Sequence, residues 1–549
     1  MPSSNIASTL FEIAASQPDV LAIAYPEKKH LLRRGDVHYV RVTFGELTQR
    51  VRHVANGLQS AGFVRGDRII LLVPPGIEFF VLCYALLRAG VVPVIIDPGI
   101  GTRNLKKCVG DVGAVGFIGV TKAHAARATL GWGRGSIRKH VTVGPKLFWG
   151  GHTLTEIEAL GRMNSAEIAP TNPEDTAAIV FTSGSTGAPK GVVYSQENFY
   201  AQLEMLKTSF NVQRGAVDLP TFPPFALFNP ALGVTSIIPD MDATKPGSVD
   251  PTKLFSAINQ FGVTTFFGSP ALMRRVAEYG VRHNIKLPTI TRALSAGAPM
   301  PAATLCMMAQ MLPAETQLYT PYGATESMPV TTIGSATILQ ETQALTDEGA
   351  GICVGSPVEG MTVEVIAIDN RPILRWSPDL ALEAGEIGEF VVKGRNVTRT
   401  YFDKPKATAL AKIAEGRTLW HRMGDVGYKD SRGRLWYCGR KSHIVQTNGQ
   451  TLYSVQCEAI FNKHPDVYRT ALVEADGQAV LCVEMEKGAT NTSAVLNTLA
   501  TWAQQNTLTT AITAFFEHPS FPVDIRHNAK IFREKLRPWA AEQLKQVRT

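Results

Sequence analysis

Residues 181–192 read FTSGSTGAPKGV, and the fold of the whole chain turns on this stretch. It follows an apolar run, Ala177, Ala178, Ile179 and Val180, of the kind that forms a buried strand. It then supplies Gly184, Gly187 and Gly191, two hydroxyl residues between the first two glycines, and a lysine. Glycine lets a backbone approach a ligand closely and adopt positive φ. Successive N–H groups and the hydroxyls of Ser185 and Thr186 can donate to phosphate oxygens, and Lys190 adds positive charge. The competing reading, an ordinary flexible surface loop, leaves the preceding strand and the following Pro-Lys-Gly unexplained.

The spacing also excludes two phosphate folds. The P-loop pattern counted from Gly184 requires glycine where Pro189 stands. A dinucleotide fingerprint needs G-x-G-x-x-G, and both Gly99/Gly101 and Gly131/Gly133 lack the third glycine.

Working outward, the chain has 549 residues, too many for a single core, so two to four structural units are expected. It is 45% apolar and 19% charged, a globular composition. The longest apolar stretch, residues 69–96, is broken by Pro74, Pro75, Glu78, Arg88 and Pro93, so it predicts strand–helix–strand and no transmembrane segment. The N-terminus carries no basic-then-apolar secretory pattern. Seven scattered cysteines without C-x-x-C fit a reducing, cytoplasmic location. The net charge is +8 without a block of five like charges, so no nucleic-acid partner is expected. The densest basic cluster, Lys28, Lys29, His30, Arg33 and Arg34, is read as a solvated hairpin turn.

The first 170 or so residues alternate helix and strand patterns, as a doubly wound α/β region does. Thr43 followed by Glu46 forms a capping box that starts a helix running to about Ala61. The pattern from Arg68 to Ile96 predicts a βαβ unit. Residues 222–233, FPPFALFNPALG, are too rich in proline for a regular helix. Their aromatics either wedge the core or wall an apolar substrate channel, with Phe225, Phe228 and Asn229 closest to it. Residues 293–297 approximate a nucleophile elbow around Ser295, but no HGGG-type oxyanion loop accompanies it, which disfavours a hydrolase.

Residues 317–326, QLYTPYGATE, predict a strand and then a turn carrying Tyr322, Gly323, Thr325 and Glu326. A carboxylate beside a hydroxyl suits a hard cation bridging phosphate oxygens. Residues 385–394 are expected to form a hairpin, and residues 420–440 two short strands, with Asp425 at a strand start and able to accept from ribose hydroxyls. After Arg440 the texture changes to a small α+β unit, with Lys530 on a loop before the terminal helix. The domain division is 1–440 and 441–549.

In this order and spacing, the motifs resemble those of the acyl-adenylate-forming superfamily over nearly the whole chain. The resemblance implies an α/β fold: a large N-terminal domain of doubly wound αβ layers with a β-barrel-like subdomain, and a small mobile α+β C-terminal domain. It implies ATP and Mg²⁺ as cofactors. Residues 183–190 become the phosphate loop, with Thr182, Ser183, Gly184, Ser185, Thr186, Gly187 and Lys190 at the nucleotide. Gly297, Ala298 and Pro299 face adenine, and Tyr322, beside Gly323, stacks on its other side. Thr325 touches phosphate and Glu326 holds the metal. Asp425 and Arg440 bind ribose. Lys530 bridges the carboxylate and the α-phosphate, so Lys530, Glu326, Thr325 and Thr186 carry the chemistry.

Three features depart from the superfamily pattern: Ser442 and His443 after the Gly-Arg-Lys, Ala529 before the lysine, and the reshaped stretch from Gln446 to Thr451. They are similar to the branch that closes β-lactones in bacterial long-chain olefin biosynthesis. That branch activates a long-chain 2-alkyl-3-hydroxy acid, whose own hydroxyl then displaces AMP, and it works beside other olefin-pathway enzymes. An acyl-CoA or acyl-AMP ligase and a non-catalytic acyl or adenylate binder remain open. His443 and His527 are candidate bases for lactone closure.

Overall fold

The computed structural model describes residues 4–27, 37–182, 189–447, 449–523 and 530–548. Two seven-stranded sheets organise the first half of the chain. In one, the strands Arg68–Leu72, Val92–Ile96, Gly116–Val120, Lys139–Val143, His152–Thr153 and Thr176–Thr182 run parallel. The strand Lys190–Ser195 joins that sheet's edge antiparallel to Thr176–Thr182, and the expected phosphate loop is the connection between them. The other sheet aligns Leu21–Pro26, Thr235–Ile237, Val217–Pro220, Thr265–Phe267, Arg292–Leu294 and Leu318–Tyr319 in parallel. Tyr39–Thr43 closes its edge antiparallel to Leu21–Pro26; the basic cluster between these two strands lies outside the described residues.

Local chemistry explains the element boundaries. The Thr43/Glu46 capping box forms as the sequence predicts and starts Phe44–Ser60; Thr153/Glu156 and Ser195/Asn198 cap two further helices in the same way. Helices Phe44–Ser60 and Leu154–Arg162 cross so closely that a Cβ on Gly161 would lie 1.7 Å from the His53 carbonyl oxygen. The buried helix Ile77–Arg88 links two neighbouring parallel strands, as expected of the βαβ unit.

The third sheet has eight strands and antiparallel pairings. Its order runs from Tyr322–Ala324 to Thr362–Ile366 without closing. Tyr322 and Ala324 nevertheless pack against the same core as Val363 and Val365, so it is barrel-like in packing and open in hydrogen bonding. Three expectations are corrected here. Residues 385–394 contain one strand, Gly388–Lys393, sandwiched between neighbours, not a hairpin. Thr418–Lys429 is a single twelve-residue strand, so Asp425 sits in its interior rather than at its start. Tyr322 and Gly323 belong to a strand, and the turn proper is Thr325 and Glu326.

From Val445 onward the chain builds its own two cores on a three-stranded sheet. Residues of Ser454–Asn462 and Thr492–Gln505 cluster in one core, and the terminal helix Arg533–Arg548 supplies Leu536, Ala540 and Leu544 to the other.

Candidate active site

Ligands of open parallel α/β sheets bind beyond the carboxyl ends of the strands. Several of the expected site residues follow such strand ends. The hairpin after Thr176–Thr182 leads into the phosphate loop; Ser183, Gly184, Ser185, Thr186 and Gly187 lie outside the described residues. Gly297, Ala298 and Pro299 follow Arg292–Leu294, and Gly297 takes φ +98°, which a side chain would strain. Tyr322 follows Leu318–Tyr319. Ser295 is buried and seven residues short of the next helix, Ala302–Met311, so no strand–nucleophile–helix elbow forms.

The third sheet assembles the residues expected at ribose. Asp425 and Arg440 are directly paired across neighbouring strands. The Tyr322 hydroxyl donates to Asp425 Oδ2 at 2.6 Å, and Arg440 Nε stands 3.0 Å from Asp425 Oδ1. The second contact is an ion pair without hydrogen-bond geometry, so Oδ1 is a buried acceptor lacking a donor. Burial raises the Asp425 carboxyl, outweighing the opposing pull of Arg440 and of the Tyr322 hydroxyl. The same carboxylate raises Arg440 against the opposing effect of burial, while burial and that carboxylate together keep Tyr322 protonated. A buried, half-satisfied carboxylate flanked by a cation fits a diol. Gly323 has a packing reason as well: a Cβ there would lie 2.7 Å from the Ser327 carbonyl oxygen.

Glu326 is held from two sides, and its neighbour Thr325 from a third. The Tyr401 hydroxyl donates to Glu326 Oε1 at 2.6 Å. Thr398 donates to its carbonyl through both N–H, at 2.9 Å, and Oγ1, at 3.1 Å. Thr325 offers its carbonyl to the Tyr194 hydroxyl. Lys190 Nζ lies 5.0 Å from the centre of the Tyr401 ring. Lys412 donates to the Thr398 carbonyl; burial brings its ammonium down to about 7, against the field of Glu326. Its strand partner His421 is kept neutral by burial and by the charges of Lys412 and Lys190. Among the described residues, no cluster of three or more His, Cys, Asp or Glu could hold a metal by itself. One carboxylate shared with substrate phosphates is how Mg²⁺ is commonly held, so Glu326 fits a cation that arrives with the nucleotide. Tyr401, Tyr194 and Lys412 were not singled out from sequence; no motif marks them, because their roles arise from strands distant in the chain.

Lys530 is placed by a buried anchor. Arg533, at the start of the terminal helix, makes a two-pronged pair with Glu458, Nη1–Oε1 2.5 Å and Nη2–Oε2 2.9 Å, and its Nη1 also donates to the Leu472 carbonyl at 2.9 Å. The charges of Arg533, Arg440, Arg537 and Lys530 all bear on His443, and with burial they lower it to about 3. Lys530 and Arg440 thus both lie within electrostatic reach of His443. The same lowering makes His443 a poor base for a hydroxyl. His527 lies outside the described residues.

The channel residues divide. Phe225 is 37% exposed and packs on Phe222 and Phe267, beyond the strand end at Phe267. Phe228 turns inward onto Phe199. The Asn229 side chain is buried, and its amide donates to Asp218 Oδ2 at 2.7 Å and Ser236 Oγ at 3.1 Å. Residues 222–233 fold as a 3₁₀ turn, Pro223–Phe228, followed by one helical turn, Asn229–Leu232.

Residues 10–402 match the family model for AMP-binding enzymes. The chain is 47% identical to an olefin β-lactone synthetase of Stenotrophomonas maltophilia, with 98% of each chain covered. It is 48% identical to the olefin β-lactone synthetase of Xanthomonas campestris pv. campestris, again over 98% of each. Among solved structures, the amide bond synthetase McbA of Marinactinospora thermotolerans superposes with a TM-score of 0.78, covering 98% of this chain and 100% of that one at 20% identity.

Proposed function

We propose that this chain, which belongs to the AMP-binding enzyme family, converts ATP and a long-chain 2-alkyl-3-hydroxy fatty acid to a β-lactone, AMP and pyrophosphate. The observation that carries the reading is its 47–48% identity, end to end, with two olefin β-lactone synthetases.

The chemistry divides into two displacements. A carboxylate oxygen attacks the α-phosphorus of ATP, forming a P–O bond as pyrophosphate departs, and the acid becomes an acyl-adenylate. The 3-hydroxyl then loses its proton and attacks the acyl carbon; the new C–O bond closes a four-membered ring and AMP leaves. The nucleophile is already tethered, so no external acceptor is required and its effective concentration is high.

The chain's residues divide these tasks. Asp425 and Arg440 orient the ribose, with Tyr322 between them and the base, and Gly297, Ala298 and Pro299 form the opposite wall. Residues 182–190 grip the phosphates. Lys530 offsets the repulsion between two anions at the α-phosphorus, and such a contact is worth on the order of 10²–10³ in rate. Mg²⁺, held by Glu326, would supply further neutralisation of phosphate charge when bound. Phe225 marks the entrance for the alkyl chains. Residues 1–440 and 441–549 act as two domains, the second mobile and carrying Lys530. All seven thiols are free, in keeping with a cytoplasmic enzyme, and partners from the same olefin pathway would supply the hydroxy acid and consume the lactone.

The test is product analysis by NMR without heating, since a β-lactone can lose CO₂ to give an olefin. The protein is mixed with ATP, Mg²⁺ and a long-chain 2-alkyl-3-hydroxy acid, with and without CoA. Lactone and AMP without CoA are expected. A thioester formed only with CoA would replace this reading with an acyl-CoA ligase, and absence of AMP from any acid would remove the enzymatic reading.

A further inference from the structure

Residues 398–402, between two strands of the third sheet, form no regular strand or helix, yet they are fastened at both ends to different site motifs. On one side, Val193 N–H donates to the Thr400 carbonyl at 3.2 Å and Phe402 N–H to the Gly191 carbonyl at 2.7 Å, with Tyr401 bridged to Val192. These partners lie in the strand that leaves the phosphate loop. On the other side, Thr398 binds the Glu326 carbonyl twice, and Lys412 fixes the carbonyl of Thr398 itself. The segment is therefore a brace between the phosphate-loop hairpin and the turn that carries Glu326. Tyr401 stands at its centre, 5% exposed, with its hydroxyl on Glu326 Oε1 and its ring facing Lys190 Nζ.

Resting on the adenylation reading above, we propose that Tyr401 is a positioning residue for the metal-bearing nucleotide. Its hydroxyl fixes the Glu326 carboxylate in the orientation that receives a divalent cation, and its ring seats the Lys190 ammonium. The negative and positive groups on either side of the polyphosphate are thereby held at one separation. An unrestrained carboxylate would rotate among rotamers, and each misaligned orientation would be lost to the cation. Hydrogen-bond partners of metal-binding side chains typically contribute 10–100-fold to metal affinity or activity. Tyr401 acts through Glu326 and Lys190, so its effect falls on metal dependence and not on the chemical step at saturating metal.

The experiment uses Tyr401→Phe, which keeps the ring and removes only the hydroxyl. Mg²⁺ is titrated by calorimetry into protein saturated with the α,β-methylene analogue of ATP, and ATP–pyrophosphate exchange is measured against Mg²⁺ in parallel. The expected result is about a tenfold or greater rise in the Mg²⁺ concentration for half-saturation in both measurements, with the exchange rate recovering at high Mg²⁺. On a Glu326→Gln background the same substitution should add almost nothing, because the group it positions is already changed. An unchanged Mg²⁺ dependence, an equal loss at every Mg²⁺ concentration, or full additivity with Glu326→Gln would each overturn the proposal. If the wild-type protein exchanges no pyrophosphate, the adenylation reading fails, while the calorimetric comparison still decides the role of Tyr401.

Discussion

Replacing Asp425 by Asn is the most discriminating single change at the ribose end of the site. Asparagine keeps the shape and one acceptor but removes the charge. Two consequences follow from the geometry. Arg440 loses the carboxylate 3.0 Å away; breaking a fully buried pair costs about 3–5 kcal/mol, but the Arg440 side chain is 31% exposed, so about 1–3 kcal/mol of stability is expected to go. Oδ1, the buried oxygen without a donor, also changes from a charged to a neutral acceptor. Hydrogen bonds to charged groups contribute about 1.5–3 kcal/mol and neutral ones about 0.5–1.5, so two ribose hydroxyls lose roughly 2 kcal/mol together, about thirtyfold in affinity. ATP–pyrophosphate exchange should show KM for ATP raised by about that factor with kcat changed far less. Urea unfolding reads the stability term separately. The decisive control is 2′,3′-dideoxy-ATP, which has no hydroxyls to lose. A penalty as large for that analogue as for ATP, or an unchanged KM, would refute the assignment of Asp425 to the ribose.

Three further outcomes are expected. Lys530→Ala should lower adenylation by about 10²–10³ in single-turnover assays while AMP binding by calorimetry is nearly unchanged; a normal rate would remove Lys530 from the chemistry. Arg533→Met leaves Glu458 buried without its partner, both side chains being less than a tenth exposed, so urea unfolding of the variant should show a loss of about 3–5 kcal/mol. A loss well under 1 kcal/mol would mean the pair does not anchor the terminal helix. His443 is lowered to about 3 by burial and four cations, so below about pH 6.5 the unfolded chain binds a proton that the folded chain does not. Its contribution is therefore intact above pH 6.5 and is lost as pH falls toward 3, by up to about 1.4 kcal/mol per unit before solvent screening. His443→Gln should flatten the acid side of the stability profile, and identical slopes for the two proteins would contradict the burial.

What the sequence made legible and what it hid divide along physical lines. Elements fixed by local rules were readable: the Thr43/Glu46 capping box and the βαβ unit around the buried helix Ile77–Arg88. Each depends on residues a few positions apart, and periodicity reports those directly. Strand boundaries in the third sheet were misjudged because that sheet is held by pairings across long chain separations. Asp425 looks like a turn aspartate beside Gly427 until Arg440 is seen opposite it. The candidate site shows the same division. Tyr322, Asp425, Arg440 and Glu326 were named from motifs, and the first three are brought into direct contact. Asn229 was expected near a channel because its neighbours are aromatic; its bond to the buried carboxylate of Asp218, a partner eleven residues away, was not legible. Tyr401 and Lys412 could not be read at all: nothing within ten residues of either suggests phosphate chemistry, and only the fold brings them to Glu326. Motifs thus name the groups expected at the nucleotide, while the residues that hold those groups in place are set by tertiary pairing. Selectivity for a metal-bearing nucleotide over a bare one should accordingly be most sensitive to the second set, which is where substitutions that spare every recognisable motif would still alter the enzyme.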